Sequence, residues 1–301
     1  MNHCAPKPSK WLVSLVLVIG VMAVSAAAIF IRLCQETAGL REVGFSLFIA
    51  ASRLMVAATI LLPTYPSLTT VRVGKSAYYY TMAAGICLAL HVAAWITSLA
   101  FTSIAASTIL VTTNPLWIAL MAWLWWQERP KQKRILGILI SILGGIIIAL
   151  SDKGVGVGSN PLGGDLLALM GSWMASGYFL LGREAQRQGL TLNQYVAIAY
   201  LTAAVCLFPL PLIFGASYLG YPYLVYVYII LMAIVSQLIG HTSLNWALRW
   251  VSPTIVALVI LFEPISSSLL AVWLFGEIPS LSVLLGGLIV MMGVAIAVVS
   301  R

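Results

Sequence analysis

Charge is what this chain has least of. Only 8% of its 301 residues are Asp, Glu, Lys or Arg, against roughly 25% in an ordinary soluble domain. That composition suits a bilayer and excludes a cytosolic globule. The charge that remains is lopsided, 16 basic residues against 8 acidic. The basic residues sit in short gaps between apolar runs and form no stripe, so nucleic acid is not an expected partner. Cysteine is scarce too: Cys4, Cys34, Cys87 and Cys206 are scattered with no CxxC pair, which implies neither a metal site nor a disulfide framework. There is no HExxH. Gly171-Ser172 stands in MGSWMA, which lacks the second glycine of a serine-protease motif, and GVGVGSNPLGGD has no P-loop lysine. No cofactor is expected, the loops leave no room for a nucleotide-binding domain, and a membrane-embedded enzyme is the weakest reading.

What is abundant is apolar length. Hydrophobic residues make up 61% of the chain, and a span needs about 20 of them in a row to cross the roughly 30 Å hydrocarbon layer. Such runs fall near 11–31, 45–62, 78–99, 104–125, 133–150, 163–183, 193–214, 222–247, 253–274 and 280–300. The first, after the basic MNHCAPKPSK, looks like a signal peptide but continues to Ile31 and reads as a membrane span, with cleavage the minor alternative. The expectation is an all-α polytopic membrane protein of ten helices, because a backbone in lipid must satisfy its own hydrogen bonds and the period-2 pattern of a barrel is absent. With the N-terminus inside, twelve Lys and Arg lie on the inner side and only Arg32, Arg41 and Lys153 on the outer. Both termini are therefore expected in the cytoplasm.

A shift of 149 residues lays NPLWIALMAWLWWQERPKQKRILGILISILGG over EPISSSLLAVWLFGEIPSLSVLLGGLIVMMGV without a gap. It pairs Pro115 with Pro264, Glu128 with Glu277, Pro130 with Pro279, Gly137 with Gly286 and Gly144 with Gly293; Ser103 falls on Ser252. Five spans per half is an odd number, so the second half enters the membrane from the opposite side. The predicted organisation is two inverted five-helix repeats, 1–151 and 152–301, as in many secondary transporters. The ten spans, the paired prolines, the E-x-P link, the G-x6-G seam, SRLMVAA and GHTSLNWALRWVSP together resemble the EamA-type permeases of the drug/metabolite transporter superfamily. The resemblance implies export or exchange of a small polar metabolite, such as an amino acid, through a central cavity by alternating access. A passive facilitator or channel is the alternative. The expected location is the bacterial cytoplasmic (inner) membrane, with lipid and a small-molecule substrate as partners; monomer and homodimer are both compatible with the sequence.

An ionisable side chain at the bilayer centre costs about 2.5 to 3.5 kcal/mol or more, so it normally faces a cavity or a partner. In the eighth span Gln237, His241 and Asn245 recur every four residues, which on an α-helix puts them on one face. They are candidates for the cavity wall or for interhelical glue, and His241 is also a candidate proton acceptor. The third span offers Cys87, His91, Trp95 and Ser98 on one face, and His91 is one residue off the repeat mate of His241. Trp95, Trp173 and Trp246 lie deep enough to stack on a substrate or simply to pack. The pairs Ser172/Ser176 and Thr108/Thr112 either line a path or let helices pack closely.

Arg53, about nine residues into its span, either draws a substrate carboxylate or snorkels outward to Glu36 or Glu42; a third arrangement pairs it with Glu263 in the cavity. Asn114-Pro115 and Glu263-Pro264 occupy matching places, where proline removes a backbone hydrogen bond and makes a candidate gate hinge. Glu263 is either a polar structural contact or a gating and coupling group, with protons the candidate coupling ion.

Overall fold

The computed structural model describes residues 8–64, 73–126, 132–151 and 159–299. The basic link with Glu128, Arg129, Pro130 and Lys131, the Gly-rich segment 152–158 with Lys153, and Cys4, Lys7, Arg72 and Arg301 lie outside the described residues. Among the described residues the regular structure is entirely helical. The helices are α1 (Lys10–Ala38), α2 (Val43–Ile60), α3 (Lys75–Phe101), α4 (Ile104–Val111), α5 (Asn114–Trp126), α6 (Gln132–Ser151) and α7 (Pro161–Arg187) in the first part. There follow α8 (Leu192–Leu207), α9 (Leu210–Ile213), α10 (Tyr223–Met232), a π-helical segment Ala233–His241, α11 (Thr242–Ala247), α12 (Pro253–Ile260), α13 (Glu263–Phe275) and α14 (Leu281–Val299).

Among the described residues seven stretches are long and apolar enough to cross a bilayer: α1, α2, α3, the α4–α5 run, the α8–α9 run, the run from α10 to α11, and the α12–α13 run. The apolar parts of α6 and α14, residues 135–148 and 281–297, are shorter. The sixth expected span, α7, is 27 residues long but carries Asp165, Arg183, Glu184 and Arg187, and is not among the seven.

Helix starts follow local chemistry. Ser9 accepts from the Leu12 amide at the head of α1, and Gly39 ends that helix at φ 65°, a conformation that an L side chain rarely adopts. Ser103 accepts from the Ala106 amide and Ser252 from the Ile255 amide, so the two serines matched by the 149-residue shift are both N-caps. The fourth and ninth expected spans are each broken in two. Helix α4 stops at a turn through Thr112 and Thr113, α12 at a turn through Leu261 and Phe262, and α5 and α13 restart with Asn114-Pro115 and Glu263-Pro264. Each proline thus sits in a first turn, where its missing N–H has no intrahelical partner to lose. The prolines restart helices rather than kink continuous ones.

Packing has a paired character. Helix α3 lies along α7, and the π segment with α10 and α11 lies along α1; α2 packs on α8 and α6 on α14. The α6–α14 seam is built on glycine. A Cβ on Gly144 would stand 2.6 Å from the Gly286 carbonyl oxygen, and one on Gly137 would stand 2.5 Å from that of Gly293. Because Gly137 meets Gly293 while Gly144 meets Gly286, the two helices run antiparallel. Between these contacts the Ser141 hydroxyl donates to the Val290 carbonyl at 3.2 Å, and the two partners are 149 residues apart. With backbones this close, helix association in lipid rests on dispersion contacts and short polar bonds.

Candidate functional site

The breaks between α4 and α5 and between α12 and α13 open onto a small cavity between the two halves of the chain. His91 and Trp95 from α3, Thr112 and Asn114 from the first break, and Ala175, Tyr178 and Phe179 from α7 form part of its lining. His241 from the end of the π segment, Leu244 from α11, Glu263 from the second break, and Val24 and Ala27 from α1 complete the polar and apolar sides. Its volume is about 30 Å³, room for one or two water molecules.

The α3 and π-segment walls meet directly, with the His91 and His241 rings 6.2 Å apart and the Trp95 indole stacked on His91 at 6.1 Å and 3°. The contact of His91 Nδ1 with the Gly171 carbonyl at 2.9 Å requires the proton on Nδ1, because a carbonyl only accepts. His241 Nδ1 and Trp95 Nε1 are buried without a hydrogen-bond partner among the described residues.

Gln237, His241 and Asn245 do not share the cavity wall. The π-helical segment widens the turn from Ala233 to His241, and such segments recur at functional sites. Gln237 accepts from Arg53 at 2.6 and 3.0 Å through its Oε1 atom and is not among the cavity-lining residues. Asn245 donates to the Tyr178 hydroxyl at 2.5 Å and to the His241 carbonyl at 2.7 Å. His241 alone of the three lines the cavity; the other two hold neighbours of it.

Arg53 does not snorkel. It is 0% exposed and bonded to Gln237, because α2 packs against the π segment and α8 rather than standing at the rim. Its Nη1 atom has no partner among the described residues, and no ion pair joins it to Glu36, Glu42 or Glu263. Trp173 is not part of the lining either: it is 47% exposed, with its ring 6.3 Å from that of Trp117.

The two break residues are held differently. The Asn114 Oδ1 atom accepts from the Ser172 hydroxyl at 2.8 Å, and its carbonyl accepts from Ser176 at 3.1 Å. Ser172 also accepts from Thr113 at 3.0 Å. The serine pair of α7 is therefore a brace for the first break. At the second, Ser267 bonds the Glu263 carbonyl at 2.8 Å, whereas the Glu263 carboxylate makes no hydrogen bond among the described residues and lies in the cavity wall.

Tyr178 is the lining residue that sequence reasoning passed over. It sits two positions after Ser176 in a helix whose sequence candidates are Trp173 and the serine pair, and its one sequence signal is a tyrosine deep in a span.

The EamA-like transporter model matches twice, over residues 9–150 and 162–299. The chain belongs to the EamA-like transporter family. It is a multi-pass membrane protein of two family repeats, and that family is one of transporters. A relative from Bacillus subtilis (strain 168), named "Uncharacterized transporter YdfC", is 26% identical over 198 residues, 64% of this chain and 61% of the relative. The chain thus aligns with less than two thirds of that relative's length. A solved structure named only "Crystal structure of protein" shares the fold at TM-score 0.63 and 16% identity, covering 97% of this chain and 99% of its own.

Proposed function

We propose that the chain is a secondary transporter of ten spans, two inverted five-helix repeats (1–151 and 152–301) with both termini cytoplasmic, in the cell's inner membrane. It exports or exchanges a small polar metabolite, such as an amino acid, by alternating access. The antiparallel α6–α14 seam supports the inversion, since repeat mates that cross over one another are what a two-fold axis in the membrane plane requires. The short apolar parts of α6 and α14 then count as spans because they expose rows of leucine and isoleucine for lipid to cover, and α7 because Asp165, Ser172 and Ser176 are buried against the rest of the protein.

The observation that carries the reading is the cavity: polar side chains from both halves, two of them (Trp95 and His241) with an unpaired buried atom, converge where two helices are broken. Buried polar groups without partners are rare and call for an explanation; a substrate or its water shell supplies one. Broken helices around a midplane site are a recurring transporter device. With room for only one or two waters, the cavity is closed to a metabolite. A closed site that must open to one side at a time fits a carrier better than a facilitator with a standing path. His91, Trp95, His241 and Tyr178 contact the substrate in this reading. Arg53, Gln237 and Asn245 hold the wall, Asn114-Pro115 and Glu263-Pro264 are the hinges, and Glu263 is the gating or proton-coupling group.

The test is flux in liposomes with the substrate named by comparing metabolites of cells with and without the protein. His241→Ala is expected to reach the membrane in normal amount and lose flux by at least about tenfold, the loss that goes with one charge-class hydrogen bond. Asn245→Ala is expected to lose flux through a displaced Tyr178. Wild-type flux in both variants would remove this cavity as the substrate site.

A further inference from the structure

The ends of α1 and α7 carry the same element, Arg32 and Gln35 in one, Arg183 and Gln186 in the other, each pair three residues apart. Each lies near the start of a serine-capped helix, α4 capped by Ser103 and α12 capped by Ser252. At the α1 end the fold itself supplies an anion. The Glu277 carboxylate stands 3.4 Å from Arg32 through Oε2 and accepts from the Ile104 amide at 2.7 Å through Oε1. Arg32 is 3% exposed there.

The α7 end is different in content. A cleft of about 400 Å³ is lined by Arg183, Gln186, Arg187, Arg249, Trp250 and Ser252, with Leu248 and Val251. Arg187 pairs with Glu184 at 3.6 Å, while Arg183 and Arg249 have no ion pair among the described residues. Pro253 replaces the amide that Ile104 offers at the other end, and Arg249 and the Trp250 indole N–H, buried and without a described partner, supply donors instead. Gln186 is 9% exposed; it donates to the Asn245 carbonyl at 3.3 Å, which leaves its Oε1 atom unpaired.

We infer that this cleft binds a small carboxylate that also carries a hydroxyl or ammonium donor, and that it is the mouth through which such a solute reaches the central cavity. Arginine forks match carboxylates, and the orphaned Gln186 oxygen asks for a donor on the same ligand. A chain of hydrogen bonds links the cleft to the central cavity: Gln186 bonds Asn245, and Asn245 bonds Tyr178 and the His241 carbonyl at the cavity wall. Cytoplasmic arginines are expected of any membrane protein. Topology alone accounts for neither the duplicated Arg and Gln element nor the unpaired buried atoms of two cleft-lining residues, Gln186 and Trp250. That the cleft serves transport, on the inner face, rests on the proposed function; that it binds a carboxylate does not.

Calorimetry on the full chain in phosphatidylcholine nanodiscs separates the two. L-malate and succinate differ by one hydroxyl and serve as probes. Saturable malate binding is expected, tighter than succinate, and weakened at least about tenfold by Arg183→Gln or by Arg249→Gln at its exposed position. Gln186→Leu is expected to erase the difference between the probes. No saturable malate binding, or equal binding in both arginine variants, overturns the site. Loss of malate binding when phosphatidylglycerol is included assigns the cleft to a lipid phosphate and also overturns it. Because no flux is measured, a chain that binds malate but carries nothing would leave the site intact and fail the transporter reading instead.

Discussion

The break between α4 and α5 and the break between α12 and α13 are built to one plan and finished differently. Both begin with a turn, restart on a polar residue and a proline, and open onto the same cavity. In the first, Asn114 is held by Ser172 through its side chain and by Ser176 through its carbonyl. In the second, Glu263 is 93% buried by its 7% exposure, yet no described residue hydrogen-bonds its carboxylate. A neutral amide that is tied down stabilises the break. A buried carboxylate left without a donor is costly, and is kept most economically where a ligand or proton completes it during the cycle. The duplicated hinge thus separates into a braced copy and an available one.

The largest effect should come from the available copy. Glu263→Gln keeps the shape and removes the charge, and flux is expected to fall by at least about tenfold, with the remainder no longer varying with pH. Liposome flux measured across a pH series would decide it, and an unchanged pH profile would make Glu263 no more than a polar contact. Asn114→Ala should do less to flux and more to the fold. It strands the Ser172 hydroxyl bond, at a cost of about 1 to 2 kcal/mol, seen as a lower thermal midpoint in detergent with flux reduced only a few fold. If Asn114→Ala instead matched Glu263→Gln in flux with no change in midpoint, the two breaks would be functional equals and the contrast would fail.

Why the contrast was half legible in the sequence follows from what a 149-residue shift records. It aligns prolines, glycines and caps, because those residues set backbone geometry locally, and the two breaks, the two serine caps and the glycine seam were all readable that way. It also brought His91 and His241 into matching helices, and their rings do meet. What it does not record is which partner a polar atom finds. Depth in the span leaves Arg53 a substrate, the rim or Glu263 as partner; its actual partner Gln237 lies 184 residues away and no spacing announces it. The π-helical segment left no compositional mark either. It coincides with a crowded contact, since a Cβ on Gly240 would stand 2.7 Å from Val24 Cγ1. Four-residue spacing groups Gln237, His241 and Asn245, but side-chain partners decide where each one ends: Gln237 on Arg53, Asn245 on Tyr178, and His241 alone in the cavity wall.

The smallest effect, and the sharpest separation of brace from gate, is Ser172→Ala. Its hydroxyl donates to Asn114 Oδ1 and accepts from Thr113, and Trp117 Nε1 reaches the same Thr113 hydroxyl at 3.2 Å. Removing one oxygen takes the bond to Asn114 and the Thr113 proton's share in Ser172, but Asn114 remains held through its carbonyl by Ser176, and the single Thr113 proton then goes wholly to the Leu110 carbonyl at 2.7 Å. A net loss near 1 kcal/mol is therefore expected, with flux and its pH profile close to wild type. The brace predicts that Ser172→Ala and Asn114→Ala together cost less than the sum of the two, since both delete the same bond. Strict additivity in the thermal midpoints would mean that Asn114 and Ser172 act separately, and the first break would lose its claim to be the fixed member of the pair.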